Sequence, residues 1–225
     1  MAEAGRSSKA NRLTAWVVVL SFCLGGLQLA ALVTMHRVHG DARFVEAPQL
    51  AAALQIFRPS EHPGSSTVVE PADLAPDRSV RTQPTRCAPL TLLATRSVLD
   101  ARSWTGVSGS PLQPVRLFTV RLPDASTAGA ELTTKRMALL RCHHLRLTFP
   151  PFDGPVHDFT VSNRHSWLLP GSDHLEYDLD EAGEAYTFYI RRYANTLTWT
   201  YGDDSTAGVR QKVADDLIGR LREMT

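Results

Sequence analysis

The densest polar chemistry in this sequence lies in one short run, Arg191-Arg192-Tyr193-Ala194-Asn195. Guanidinium forks match planar anions two bonds at a time. With a phenol and a carboxamide beside them, Arg191, Tyr193 and Asn195 form a candidate site for an anionic ligand or a cell-wall group. The run also falls between two strand-like segments, where Asn is a common turn residue. A plain hairpin tip is therefore the competing reading.

Other constellations carry less. Tyr201-Gly202-Asp203-Asp204 imitates the YGDD signature of RNA-directed polymerases, in which paired carboxylates hold Mg²⁺. Nothing else in the chain suits a polymerase, and acidic capping at a strand-to-helix turn accounts for the run. Cys142-His143-His144 hints at metal, but adjacent side chains diverge and the usual ligand spacings are missing. His157, His165 and His174 read as surface or half-buried histidines, so neither a metal site nor a cofactor is expected. Neither G-x-S-x-G nor S-x-x-K occurs. Ser166, Asp173 and His174 share a loop, where turn chemistry commonly collects such residues. A non-catalytic protein is the expectation. The alternative is a cell-envelope hydrolase using His174 and the acidic residues Glu176, Asp178 and Asp180.

The elements that must position these residues begin with strands. Leu175, Tyr177 and Leu179 alternate with Glu176, Asp178 and Asp180. Tyr186, Phe188 and Ile190 alternate with Thr187, Tyr189 and Arg191, and Leu197, Trp199 and Tyr201 with Thr196, Thr198 and Thr200. Period two with aromatic and β-branched residues marks strands with one buried face. Glu181-Ala182-Gly183 and Tyr193-Ala194-Asn195 join them into a β-meander. Residues 115–122 and 157–162 predict further strands. Residues 92–102 predict a short helix, stopped by Trp104-Thr105-Gly106. Asp124, Ser126 and Thr127 can cap a helix running to about His143. Residues 206–224 form an amphipathic helix with Val209, Val213, Leu217 and Leu221 on one stripe. That stripe is expected to pack on the sheet face of Tyr186, Phe188, Ile190, Leu197, Trp199 and Tyr201. The fold class is α+β, an antiparallel meander with helices on one face.

Upstream, residues 13–35 are apolar and uncharged. About 23 such residues suffice to cross ~30 Å of hydrocarbon as a helix. The predicted organisation is a cytoplasmic tail at 1–12, a transmembrane helix at 13–35, a juxtamembrane segment and Pro-rich linker at 36–84, and an extracytoplasmic domain at 85–225. Residues 47–57 read as a short helix over the membrane surface. The slight excess of Arg and Lys before the span favours a cytoplasmic N-terminus. A cleaved signal peptide would have a shorter apolar run and small residues at its cut site. Phe22 before Cys23 does not suit lipid attachment. The chain is expected in the cell membrane, single-pass, with the lipid bilayer as a partner through 13–35. Its net charge of +1 over 225 residues excludes a nucleic-acid footprint. Arg well exceeds Lys, as in GC-rich bacterial coding sequence.

Cys87 and Cys142 fall in the predicted domain. An even number of cysteines in a translocated domain is most simply a disulfide. Closing a loop of about 55 residues stabilises by ~4 kcal/mol in the chain-entropy account. Two buried free thiols are the alternative.

From Leu92-Leu93 through the helix ending at Cys142, the strand pair IRRYANTLTWTYGD at 190–203 and the closing helix VADDLIGRL at 213–221, the chain resembles the PknH-type extracellular sensor domain. That family is found in actinobacterial membrane proteins. The resemblance implies an α+β domain with antiparallel strands and a cleft for a small ligand. The kinase form of the family has two internal disulfides, whereas this domain offers one cysteine pair. Residues 1–12 leave no room for a kinase, so signalling by phosphorylation is not implied. The expected function is a membrane-anchored extracytoplasmic binding or sensor module, its partner a small envelope ligand or a membrane protein. Besides the hydrolase, an accessory subunit of a larger membrane complex is a further alternative.

Overall fold

The computed structural model describes residues 43–55, 63–69, 80–91, 93, 97–108, 113–149, 154–163 and 173–225. The expected tail at 1–12, the expected transmembrane helix at 13–35 with Cys23, much of the Pro-rich segment, and the residues 164–172 that include His165 and Ser166 lie outside these residues. Among the described residues no helix is long and apolar enough to cross a membrane.

These residues form four helices, α1 (Ala47–Gln55), α2 (Ala88–Thr91), α3 (Ala125–Leu139) and α4 (Ala207–Met224). The strands are β1 (Gly64–Val68), β2 (Arg81–Gln83), β3 (Asp100–Ser108), β4 (Gln113–Arg121), β5 (His144–Thr148), β6 (Val156–Asn163), β7 (His174–Glu181), β8 (Glu184–Tyr193) and β9 (Thr196–Asp203). All nine join one antiparallel sheet in the order β1-β3-β4-β9-β8-β7-β6-β5-β2. The meander β7-β8-β9 forms as its alternation predicts. Ala182 and Gly183, at φ 54° and 92°, make the tight β7–β8 turn. Only glycine takes such a backbone at no steric cost, which explains Gly183.

Helices cover both faces of the sheet, not one. On the first, Leu145, Leu147, Val161, Leu175, Leu179, Ile190 and Leu197 pack against α3 through Ala128, Leu132 and Leu139, and against Leu90 of α2. The second carries Trp104, Val115, Leu117, Tyr189 and Tyr193. It packs against Val213, Leu217, Ile218 and Leu221 of α4 and Leu50, Ala53 and Leu54 of α1.

The closing helix is therefore docked opposite to the expected face. Tyr186, Phe188, Ile190, Leu197, Trp199 and Tyr201 point toward the α3 side, while α4 lies over the face of the threonines. Thr119, Thr196, Thr198 and Thr200 are fully buried. Their methyl groups pack like valine, and the Thr119 and Thr198 hydroxyls bond each other at 3.0 Å. Read by polarity alone they resemble a solvated face; read by shape they are a shallow β-branched bed for a helix.

Two more expectations change. The helix expected over 92–102 is absent at its described C-terminal end: α2 ends at Thr91, and Asp100–Ser108 is β3. Trp104-Thr105-Gly106 lies inside that strand. The Trp104 indole lies over Gly64 and Gly106, where an added Cβ would stand 2.4–2.6 Å from the ring. The folded unit also begins well before Thr85. The helix forms at 47–55, but it is packed under α4 and its Leu50 and Ala53 are fully buried. Strands β1 and β2 pair with β3 and β5. A composition rich in Pro and Ser hides edge strands, whose backbone bonds need few apolar side chains.

Cys87 and Cys142 are joined, with Cα atoms 5.5 Å apart. The bond ties the segment leading into α2 to the end of α3.

Candidate functional site

The site with the geometry of a binding pocket is a cleft on the α3 side of the sheet. Its floor is an aromatic ladder written by strand register. Tyr177 pairs with Phe188 and Phe188 with Tyr201, so three rings line up across β7, β8 and β9. The centroids are 5.1 Å and 5.5 Å apart and the planes within 15° of parallel. Phe118 of β4 extends the row, stacked on Trp199 at 5.9 Å and on Tyr201 at 6.2 Å. Because the rings turn their faces to one another, their edges line the cleft. Tyr177 is fully buried, whereas Phe118, Phe188, Trp199 and Tyr201 are only half-buried.

The walls are Val80, Leu90, Thr91 and Leu93 on one side and Leu147 and Phe149 on another, around about 430 Å³ of space. That volume lies in the ~300–1,000 Å³ range of small-molecule sites. The disulfide holds the Leu90 wall in place, because Cys87 immediately precedes α2. Two polar side chains also fasten it. The Tyr177 hydroxyl donates to Leu90 O, and the Lys135 ammonium to Pro89 O at 2.5 Å. A one-turn helix leaves its last carbonyls without internal partners, and these bonds supply them.

Lys135 is the charged group lining this cleft among the described residues. It is 4% exposed. Burial pulls its pKa down from 10.5 to about 8, against the opposing pull of Glu131. Burial likewise pushes the Tyr177 phenol up, so it stays protonated at alkaline pH. Sequence reading missed Lys135. The available signal was its position: Ala128, Glu131, Leu132, Lys135 and Leu139 share one stripe of α3, and a charge on an apolar stripe marks a buried ionic group.

A broader depression of about 780 Å³ lies at the β2–β5 edge, lined by Gln83, Pro84, Thr85, His144, Leu145, Arg146 and Asp158. Its Arg146–Asp158 pair (2.6 Å) is 64% and 67% exposed. An ion pair so well solvated encloses little, and the aromatic cleft is the better container.

Arg191, Tyr193 and Asn195 lie away from the cleft, on the α4 side, whereas Arg192 reaches Ala125 O at the start of α3, at 3.4 Å. Asn195 is fully buried. It accepts from Val45 N–H at 2.8 Å and donates to Val45 O at 3.3 Å and Leu122 O at 2.9 Å. The Tyr193 hydroxyl meets Thr225 Oγ1 at 2.6 Å, and Arg222 stacks over its ring at 5.6 Å. Arg191 pairs with Asp215, which also accepts from Tyr189 OH at 3.0 Å. Arg192 holds Asp173 at 2.7 Å. The sequence run thus brings together fastenings of the domain's own elements.

The remaining candidates are dispersed. His174 is exposed, and Asp173 is bonded to Arg192. His157 lies 2.9 Å from Glu181. Among the described residues no group of three or more His, Cys, Asp or Glu side chains could hold a metal ion. The YGDD run is divided: Tyr201 lies in the cleft floor, Gly202 beneath the Arg210 guanidinium, and Asp203 accepts from Ser205 in the turn into α4. That bond is the first of the causes that hold the Asp203 carboxyl below its ordinary value.

No protein-family model matches the sequence, and no curated protein matches it. The fold is similar to the crystal structure of the extracellular domain of PknH from Mycobacterium tuberculosis, with a TM-score of 0.51 and 12% sequence identity. The likeness covers 80% of this chain and 93% of that one. At that identity the likeness shows a shared fold alone.

Proposed function

We propose that this chain is a non-catalytic binding or sensor module of a bacterial cell envelope. Residues 13–35 hold it in the cytoplasmic membrane, and the aromatic cleft receives a small, largely apolar ligand outside. The observation that carries this reading is the floor of the cleft. Phe118, Phe188, Trp199 and Tyr201 are large apolar rings left half in water around a cavity of ligand size. Fully burying such a side chain is worth roughly 1.5–3 kcal/mol, and a ligand seated there gains part of it. The Cys87–Cys142 bond supports an oxidising compartment. The fold likeness to an extracellular domain supports the same side of the membrane.

Titration of a soluble fragment spanning 41–225 with the neutral fluorophore N-phenyl-1-naphthylamine tests the reading. Emission should rise on binding. Leu147→Trp, which fills the cleft, should abolish the rise, while Arg191→Ala on the opposite face should leave it unchanged. Loss with Arg191→Ala and not with Leu147→Trp would move the site to the β8–β9 turn. No rise in any form would favour an accessory subunit that binds no small ligand.

A further inference from the structure

We infer that the cleft selects a flat aromatic ring system, seated on the aromatic ladder, over a saturated ligand of the same carbon skeleton. The inference rests on the cleft being the binding site and adds the class of ligand that it takes. The geometry of the ladder carries it. Register sets Tyr177, Phe188 and Tyr201 side by side on β7, β8 and β9, and Phe118 beside Trp199 on β4 and β9. Their ring centroids lie 5.1–6.2 Å apart with planes within 18° of parallel. That is close to the spacing of neighbouring strands, about 4.8 Å. Each ring therefore stands upright on the sheet, its face turned to the next strand and its far edge turned up into the cleft.

An aromatic ring carries negative charge over its faces and positive charge at its edge. The floor of the cleft is thus a row of positive C–H edges, with Phe188 and Phe118 contributing edges that bear no polar atom. A flat arene laid over that row sets its negative face on the edges, the edge-to-face geometry that ring pairs favour. The walls close on it with the branched side chains of Val80, Leu90, Leu93 and Leu147. Ring pairs in this geometry gain more than the area they bury accounts for. A saturated ring system of the same skeleton buries at least as much apolar surface, yet it has no negative face to offer. Burial alone does not favour the arene, so a preference for it reports the ladder.

Isothermal titration of the full chain in lipid nanodiscs, against empty nanodiscs, tests the inference with 2-naphthalenemethanol and its saturated counterpart decahydro-2-naphthalenemethanol. The two share a skeleton and an alcohol and differ in the ring faces. The arene should bind at least about fivefold more tightly, as one or two edge-to-face contacts imply. Phe188→Leu removes an edge from the middle of the row while keeping an apolar side chain there. It should weaken the arene alone and bring the two probes toward equal affinity. Phe118→Leu repeats the test at the end of the row, should the first variant fail to fold. Equal affinities on the wild-type protein, or tighter binding of the saturated probe, would overturn the aromatic assignment and leave the apolar cleft standing. A preference undiminished in the folded leucine variants would overturn the role of the ladder. If neither probe bound, the aromatic assignment and the cleft reading would both fall.

Discussion

Asn195 holds both backbone polar groups of Val45, accepting from its N–H at 2.8 Å and donating to its C=O at 3.3 Å. The two residues are 150 positions apart. The same carboxamide donates to Leu122 O, whose own N–H bonds Asn195 O at 2.8 Å. The segment entering the fold is thus stitched to the β8–β9 turn before α1 begins. Gln49 then donates to Met224 O at 2.8 Å. The first described residues of the domain are thus fastened by α1 packed under α4.

Asn195→Ala should cost about 2–4 kcal/mol, because it strips partners from three buried backbone groups. The loss should be local first. Hydrogen exchange of the amides in 45–54 is expected to accelerate more than that of β8. Uniform acceleration across the sheet would mean that the segment does not open by itself.

Leu217→Ala should cost about 2–5 kcal/mol, since Leu217 is fully buried between α4 and the sheet. Because α4 packs on the face opposite the cleft, the folded variant should retain N-phenyl-1-naphthylamine binding. Thermal melts and probe titration of one preparation separate the two effects. An unchanged melting temperature would contradict the docking of α4.

The Cys87–Cys142 bond positions the Leu90 wall of the cleft. Labelling the unfolded, unreduced fragment spanning 41–225, which omits Cys23, should find neither thiol reactive. Cys142→Ser should lower stability by about 4 kcal/mol in the chain-entropy account and weaken ligand binding together with it. Two reactive thiols would leave that wall without its anchor.

Lys135 predicts a pH dependence. Its folded pKa, about 8, lies below the ordinary 10.5, so between these values the unfolded chain binds more protons. Stability contributed by this site therefore rises with pH across that window and is flat below it, where the cost of the buried charge is present in full. Relative to Lys135→Met, the wild-type protein should gain on the order of 1 kcal/mol per pH unit above pH 8. Denaturant melts of both proteins from pH 7 to 10 check this. A constant difference would place the ammonium in a well-solvated setting.

The sequence by itself determined the strands of the meander, α3 with Asp124 as its cap, the closing helix and the cysteine pair. Each is a local pattern: alternation along one strand, a cap before a helical run, a stripe at helical spacing. Tertiary structure alone decided which face each stripe meets. Period two says that a strand has two unlike faces, but Thr198 and Thr200 are polar by composition and buried by shape, so polarity pointed α4 to the wrong side. It also decided the recruitment of β1 and β2, since an edge strand is held by backbone bonds that side chains hardly report. The cleft belongs to the same class. Tyr177, Phe188, Tyr201 and Phe118 become a ladder only through register between strands, and Lys135 joins them only because α3 lies across that face. The Arg191–Asn195 run was visible in the sequence as chemistry. What it does is set by partners as distant as Val45, which no local pattern contains.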